Sequence, residues 1–240
     1  MAKRKETEEM NELLSESVYF GIVISLLFYW VATIISKKVK LTLCNPLLLS
    51  ILFVIAVLLV FDIDYDTYNY GAQYLTYFLT PATVCLAVPL YRQFEILKKN
   101  VTAIMLSIGA GCISHAIAIG VLTMVFQLSP ELKAALIPKS LTTAIAIGVS
   151  EELGGITSVT VVSVVITGIL GATIAAKLFQ LLKIEEPVAQ GLACGTASHA
   201  IGTSKAMELG EIQGAMSSLA IVVTGILTVV LAPFVMEIIR

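Results

Sequence analysis

The sequence predicts an all-α polytopic membrane protein of about seven or eight transmembrane or re-entrant segments, with an inverted repeat and broken helices. Three observations predict it. Of the 240 residues, 58% are hydrophobic and 13% charged, against about 45–50% and about 25% in soluble domains. The apolar residues gather into runs, several close to the ~20 residues that a spanning helix needs. Three of those runs also carry prolines, glycines and polar groups that a lipid-facing helix avoids. A soluble enzyme and a disordered chain are excluded on these grounds. A net charge of −2 lacks the basic footprint of a nucleic-acid module, so no nucleic-acid partner is expected.

Residues 1–17 read as a polar tail, in which Lys3, Arg4 and Lys5 mix with five glutamates. No cleavable signal is evident in it, and no soluble domain is expected at either end. Residues 18–240 read as a single integral membrane domain. The first apolar run covers 18–36 and is closed by Lys37, Lys38 and Lys40. The second, 46–61, is short and ends at Asp62, Asp64 and Asp66. The third, 71–90, holds Pro81 and Pro89. The fourth covers 101–126. The fifth, 131–149, is interrupted at Pro138, and the sixth covers 156–178. The seventh, 188–206, is rich in Gly, Ser and Thr, and the eighth covers 212–238. Lysines and arginines in short loops mark the cytoplasmic side. They put the 37–40 and 92–99 loops inside and the three aspartates outside. Lys177 and Lys183 lie outside if all eight segments span, and inside if the fifth only dips in and returns.

Two self-alignments hint at a repeat. One sets Gly111, Ser114 and His115 on Gly195, Ser198 and His199; a weaker one sets Thr83 on Thr143 and Gly111 on Gly171. A three-segment unit must be inverted in the membrane, a frequent transporter plan.

The polar interruptions are the candidate site. In the third segment, Thr80, Pro81 and Thr83 precede Pro89 and Arg92. Proline removes a backbone donor and frees a carbonyl, and, taken alone, this run is better accounted for by a kink with threonines bonded back to the helix. In the fifth, Pro138, Lys139, Ser140, Thr142 and Thr143 precede Glu151 and Glu152. A lysine at mid-bilayer costs about 2.5–3.5 kcal/mol on translocon scales; it can snorkel to an interface, but that leaves the adjacent proline and hydroxyls unexplained. A helix broken here presents free amides and a cation at one point, which suits a carboxylate. In the seventh, Gly195, Ser198, His199, Gly202 and Thr203 permit close packing, unwinding or both.

The expectation is therefore a midplane site with helix breaks at Pro81, Pro89, Pro138, Gly195 and Gly202. Lys139 and Arg92 supply positive charge, and Thr80, Thr83, Ser140, Thr142, Thr143, Ser198 and Thr203 supply hydroxyls. His199, Glu151 or Glu152 couples a proton. His115, beside Ser114 in an otherwise apolar helix, is expected to be structural. No enzyme is expected: Ser198 and His199 are adjacent, and neighbours on a helix point about 100° apart. No GxSxG or HExxH motif occurs. Cys44, Cys85, Cys112 and Cys194 are scattered without metal-ligand spacing, so neither metal nor cofactor is called for.

The runs TPATVCLAVPLYRQ (80–93), PKSLTTAIAIGVSEELGG (138–155) and GTASHAIGTSKAMELGEIQGAMSSLA (195–220) resemble the LrgB/CidB family of bacterial membrane proteins. The resemblance extends over nearly all of residues 45–240. Family members often have a proline after the paired threonines, where this chain has Ala144. They often have a glycine after the histidine, where it has Ala200. The resemblance implies a multi-pass protein of the bacterial cytoplasmic membrane, with lipid around it, and two functions. One is transport of small monocarboxylates of the glycolate, glycerate, lactate or pyruvate type, by likeness to a plastid glycolate/glycerate carrier. The other is antiholin-like restraint of a small LrgA/CidA-like membrane partner, which modulates murein hydrolase activity and autolysis. Broken helices, a buried lysine and clustered hydroxyls favour transport. A homodimer is left open.

Overall fold

The computed structural model describes residues 17–39, 46–78, 81, 84–85 and 87–239. Among them there are helices and turns but no strand. The chain divides into two compact units, Met1–Cys85 and Leu86–Arg240.

In the first unit, α1 (Val18–Val39) and α2 (Pro46–Val60) are apolar helices. Phe28 and Phe53 join them, with ring centroids 5.8 Å apart. Lys37 and Lys38 fall in the last turn of α1, where cations complement the helix dipole. A short helix, α3 (Tyr65–Ala72), packs on the start of α1 and continues into a 3-10 turn, Gln73–Phe78. The approach is backbone to backbone. A Cβ at Gly71 would collide with the Val18 carbonyl oxygen, and one at Gly21 with that of Tyr68. The Tyr68 hydroxyl and Ser25 Oγ share a 2.8 Å hydrogen bond across this contact.

The third apolar run, expected over 71–90, is thus no single rod among the described residues. Gly71 belongs to a helix that docks on α1 and the backbone then tightens into the 3-10 turn. Thr80 and Thr83 lie outside the described residues. Pro81 is helical and exposed. Pro89 does not break a helix. It sits in the first turn of α4 (Ala87–Arg92), where a missing N–H removes no intrahelical bond.

The second unit continues with α5 (Phe94–Val125), α6 (Pro130–Leu136), α7 (Thr143–Glu152), α8 (Thr157–Leu181), α9 (Pro187–Leu209) and α10 (Glu211–Ile239). Among the described residues, four helical stretches are long and apolar enough to cross a membrane: α1, Lys98–Val125 of α5, α8 and α10. Their outward faces stay apolar: Leu106 is 70% exposed, Ile117 62% and Ile226 63%. Such surface is stable against lipid and not against water.

Two segments double back. Ser129 accepts a bond from Leu132 N and Pro130 occupies the first turn, so α6 starts with its free amides partly met. The chain leaves helical geometry over 137–142 and resumes as α7. Gly154, at φ +77, ends α7 in a left-handed turn that glycine adopts without strain. The next residue, Gly155, lies so close to α6 that a Cβ there would be 2.7 Å from Ala135 N. The end of α7 has therefore returned to α6, and the pair is a hairpin with its tip at 137–142. Hence α8 starts at the end of the molecule where α5 stops.

The second reversal lies inside α9. Ser198 (φ −136, ψ 18) and His199 (φ 43, ψ −138) are non-helical. Beyond them, Gly202 comes so close to the Cys194 carbonyl that a Cβ would collide with it. In a straight helix those residues would stand about 12 Å apart along the axis. The first arm runs alongside α10, with Gly195 against Ser217 and Ala220; the second arm comes back, with Met207 against Gly214. The break falls between Gly195 and Gly202 and not at either. Both glycines are helical and serve close packing, since only a residue without a side chain fits there.

Candidate functional site

The first hairpin's tip and the first arm of α9 face a stretch of α5 across a cavity of about 510 Å³. From α5 come Ser107, Gly111, Ser114 and His115, which fall on one helix face at i, i+4, i+7 and i+8. Lys139 and Ser140 come from the tip, and Thr196 from α9. Gly111 sets how near α9 can come: a Cβ there would be 2.8 Å from Thr196 Cγ2. Ala189, Ala193 and Ala197 recur at every fourth position of the α9 arm and hold the space open with small side chains.

The cavity is electropositive. Lys139 is half-buried, and no carboxylate among the described residues pairs with it. The N-terminus of α7 adds a partial positive charge at the same tip, and Thr142 provides no side-chain cap to its first-turn amides. A cation taken from water without a partner favours an anion strongly.

The expected site residues divide. Lys139 and Ser140 lie in the cavity together. Thr142 and Thr143 flank it at the start of α7. Ser198 and His199 form the other tip and are 3% and 4% exposed. Gly171 and Gly168 of α8 admit them, because a Cβ at Gly171 would strike Ser198 Oγ and one at Gly168 would be 2.7 Å from His199 Cε1. His199 Nε2 meets the Val164 carbonyl oxygen at 3.0 Å. Thr203 donates to the His199 carbonyl and bonds Ser217 Oγ at 2.7 Å. Arg92 is not with them: it is exposed and pairs with Glu211 at 3.3 Å. Glu151 and Glu152 are exposed at the far end of α7, away from the tip. Helix length separates them from it, since the last turn of a ten-residue helix lies about 15 Å from its start.

Sequence reasoning missed Ser107, Gly111, Ser114 and Thr196 as cavity residues, and favoured a structural role for His115. The polar spacing along α5 was the available signal, and it was hidden by the greater polarity of the seventh segment.

Thr203→Val keeps the side chain's shape and removes its hydroxyl. It should lower stability by about 1–3 kcal/mol, because the buried Ser217 hydroxyl and the His199 carbonyl lose their partner. Thermal unfolding in detergent measures this. Adding Ser217→Ala should recover part of the loss; strict additivity would show that the pair is not coupled.

The structure thus defines a helical membrane protein in which the tip of one hairpin and the first arm of the other line a cation-bearing cavity. The LrgB-like family profile matches residues 25–238, and the chain belongs to that family. Antiholin-like protein LrgB of Bacillus cereus (strain B4264) is 36% identical over 219 residues, 91% of this chain and 95% of the relative. Antiholin-like protein LrgB of Bacillus anthracis (strain CDC 684 / NRRL 3495) has the same identity and coverage. No solved structure matches the chain.

Proposed function

We propose that this chain is an antiholin-like, non-enzymatic protein of the bacterial cytoplasmic membrane that restrains a small holin-like membrane partner. The observation that carries this reading is the 36% identity over 91% of the chain to relatives named antiholin-like. The test is lysis. Cells expressing a small LrgA/CidA-like protein should lyse and release murein hydrolase activity more slowly when this chain is co-expressed. Unchanged lysis, with both proteins in the membrane, overturns the reading.

One specific observation favours a second reading, transport of a small monocarboxylate. It is the unpaired Lys139 beside Ser140 in an open cavity where a hairpin tip meets α9. In this reading Lys139 holds the carboxylate, and Ser140, Thr142 and Thr143 offer hydroxyls and amides. Ser198, His199 and Thr203 build the second tip. The polar tail precedes a single membrane domain whose re-entrant hairpins bring the segment number to about seven or eight. We read α5 with the α6–α7 hairpin, and α8 with the α9 hairpin, as an inverted repeat. The self-alignment of Gly111 on Gly171 supports it, because it sets one hairpin tip on the other. Lys98 and Lys99 at the start of α5 and Lys177 and Lys183 at the end of α8 then share one side, the cytoplasmic one. The cavity runs from the tip toward that side, along α5 to Ser107.

A further inference from the structure

We infer that His115 is a proton-responsive latch that ties α5 to the tip of the first hairpin and governs exposure of the cavity wall at Ser140. The inference uses the cavity of the transport reading but needs no transported ligand.

His115 Nε2 lies 2.9 Å from the Ile137 carbonyl oxygen. That carbonyl closes α6, where helix geometry leaves the last oxygens without intrahelical donors. Nearby donors are engaged elsewhere: Lys139 N bonds Leu136 O, and Leu141 N bonds Pro138 O. Pro138 has no N–H to offer. A carbonyl only accepts, so neutral His115 carries its proton on Nε2 and donates it to the tip. The contact is not packed solid. A gap of about 10 Å³, bordered by Cys112, His115, Ile137 and Thr228, remains between α5, the tip and α10, which is about the space one water needs.

The charges around the ring decide what a proton does. The tip presents Lys139, on the wall of the same cavity. Its own helix presents the Cys112 thiol, and α10 presents Thr228 and apolar side chains. The α9 arm presents Thr196, Leu192 and alanines. Among the described residues no carboxylate lines either space. A second proton on the ring therefore places two positive charges at one cavity with no counter-charge. The charged ring would still donate to the Ile137 carbonyl, but its burial away from water and the like charge of Lys139 both oppose it, and both are relieved when the tip moves away from α5. His199 makes a similar bond, to Val164 O, but it is 4% exposed and wedged against Gly168 of α8. His199 is a structural pin, and His115 is the residue that water and protons reach.

The test reads hairpin exposure and not uptake, so it holds or fails independently of transport. Ser140→Cys is made with the native cysteines replaced by alanine, and labelling by a small charged thiol reagent is followed in purified protein. Tyr91→Cys, at a position 83% exposed, normalises for thiolate formation. As the pH falls from about 8 to about 4.5, a window that extends well below the free imidazole range, normalised labelling at position 140 should rise several-fold. His115→Gln keeps an N–H donor but cannot titrate, and should flatten the profile. Lys139→Met should flatten it too, by removing the repelling charge, and gives the answer should the glutamine variant not fold. His199→Gln should keep the slope. A flat profile with both histidines present, or a slope that survives His115→Gln in folded protein, overturns the inference; should that variant not fold, a slope that survives Lys139→Met does so.

Discussion

A single methyl group at position 202 is expected to unfold the second hairpin. Gly202→Ala puts a Cβ onto the Cys194 carbonyl oxygen and 2.6 Å from Ser198 Cβ. The first is backbone of the opposing arm, and neither can swing aside as the end of a long side chain can. Overpacking of a close-packed interior ordinarily costs about 1–3 kcal/mol, and a clash between two backbones belongs at or above the top of that range. Gly109→Ala is the comparison. A Cβ there meets nothing within 4 Å, and alanine is favoured over glycine in a helix interior by about 0.8–1 kcal/mol. The two substitutions are chemically identical and should move the thermal midpoint in detergent in opposite directions, 202 down and 109 up. Equal shifts would mean that the arms of α9 do not touch and that the hairpin is wrong.

Lys139→Met carries the next largest expected effect, on uptake and not on folding. The side chain keeps much of its length and loses its charge. Its burial in a cavity without a carboxylate disfavours the cation, so the variant should insert and fold at least as well as the natural chain. A hydrogen bond to a charged group is worth about 1.5–3 kcal/mol, which is about 10-fold to about 100-fold in ligand affinity. In proteoliposomes, saturable uptake of glycolate, glycerate, lactate or pyruvate should fall by that factor. Uptake unchanged in the variant would return Lys139 to the role of an interfacial anchor. No uptake of any of the four by folded natural protein would leave the antiholin-like reading alone.

Much of this was legible because a bilayer imposes one-dimensional rules. The apolar runs at 18–36, 101–126, 156–178 and 212–238 each coincide with a helix long enough to span, since lipid demands about 20 apolar residues with every backbone group satisfied. Pro138 and the polar run at 195–203 marked the two places where regular helix stops, since a proline or a cluster of small polar residues has little reason to face lipid. The 71–90 run is less regular than its hydropathy predicts: among the described residues, Gly71 is committed to a backbone contact with Val18 that hydropathy does not weigh, and a 3-10 turn follows it.

What the sequence by itself determined is the membrane class, the helical content and the positions of the interruptions, because each depends on neighbours within a turn or two along the chain. Tertiary structure alone decided which way the chain goes after an interruption. A broken helix can continue across the membrane or come back, and the same prolines and glycines serve both. The choice is made by contacts between residues apart in sequence, Gly155 on Ala135 and Gly202 on Cys194, where missing side chains let backbones meet. The same contacts put Lys139 opposite α5 and left Arg92 on the surface with Glu211. They also made His115, an ordinary member of an apolar helix by sequence, the donor to a carbonyl that its own hairpin cannot satisfy.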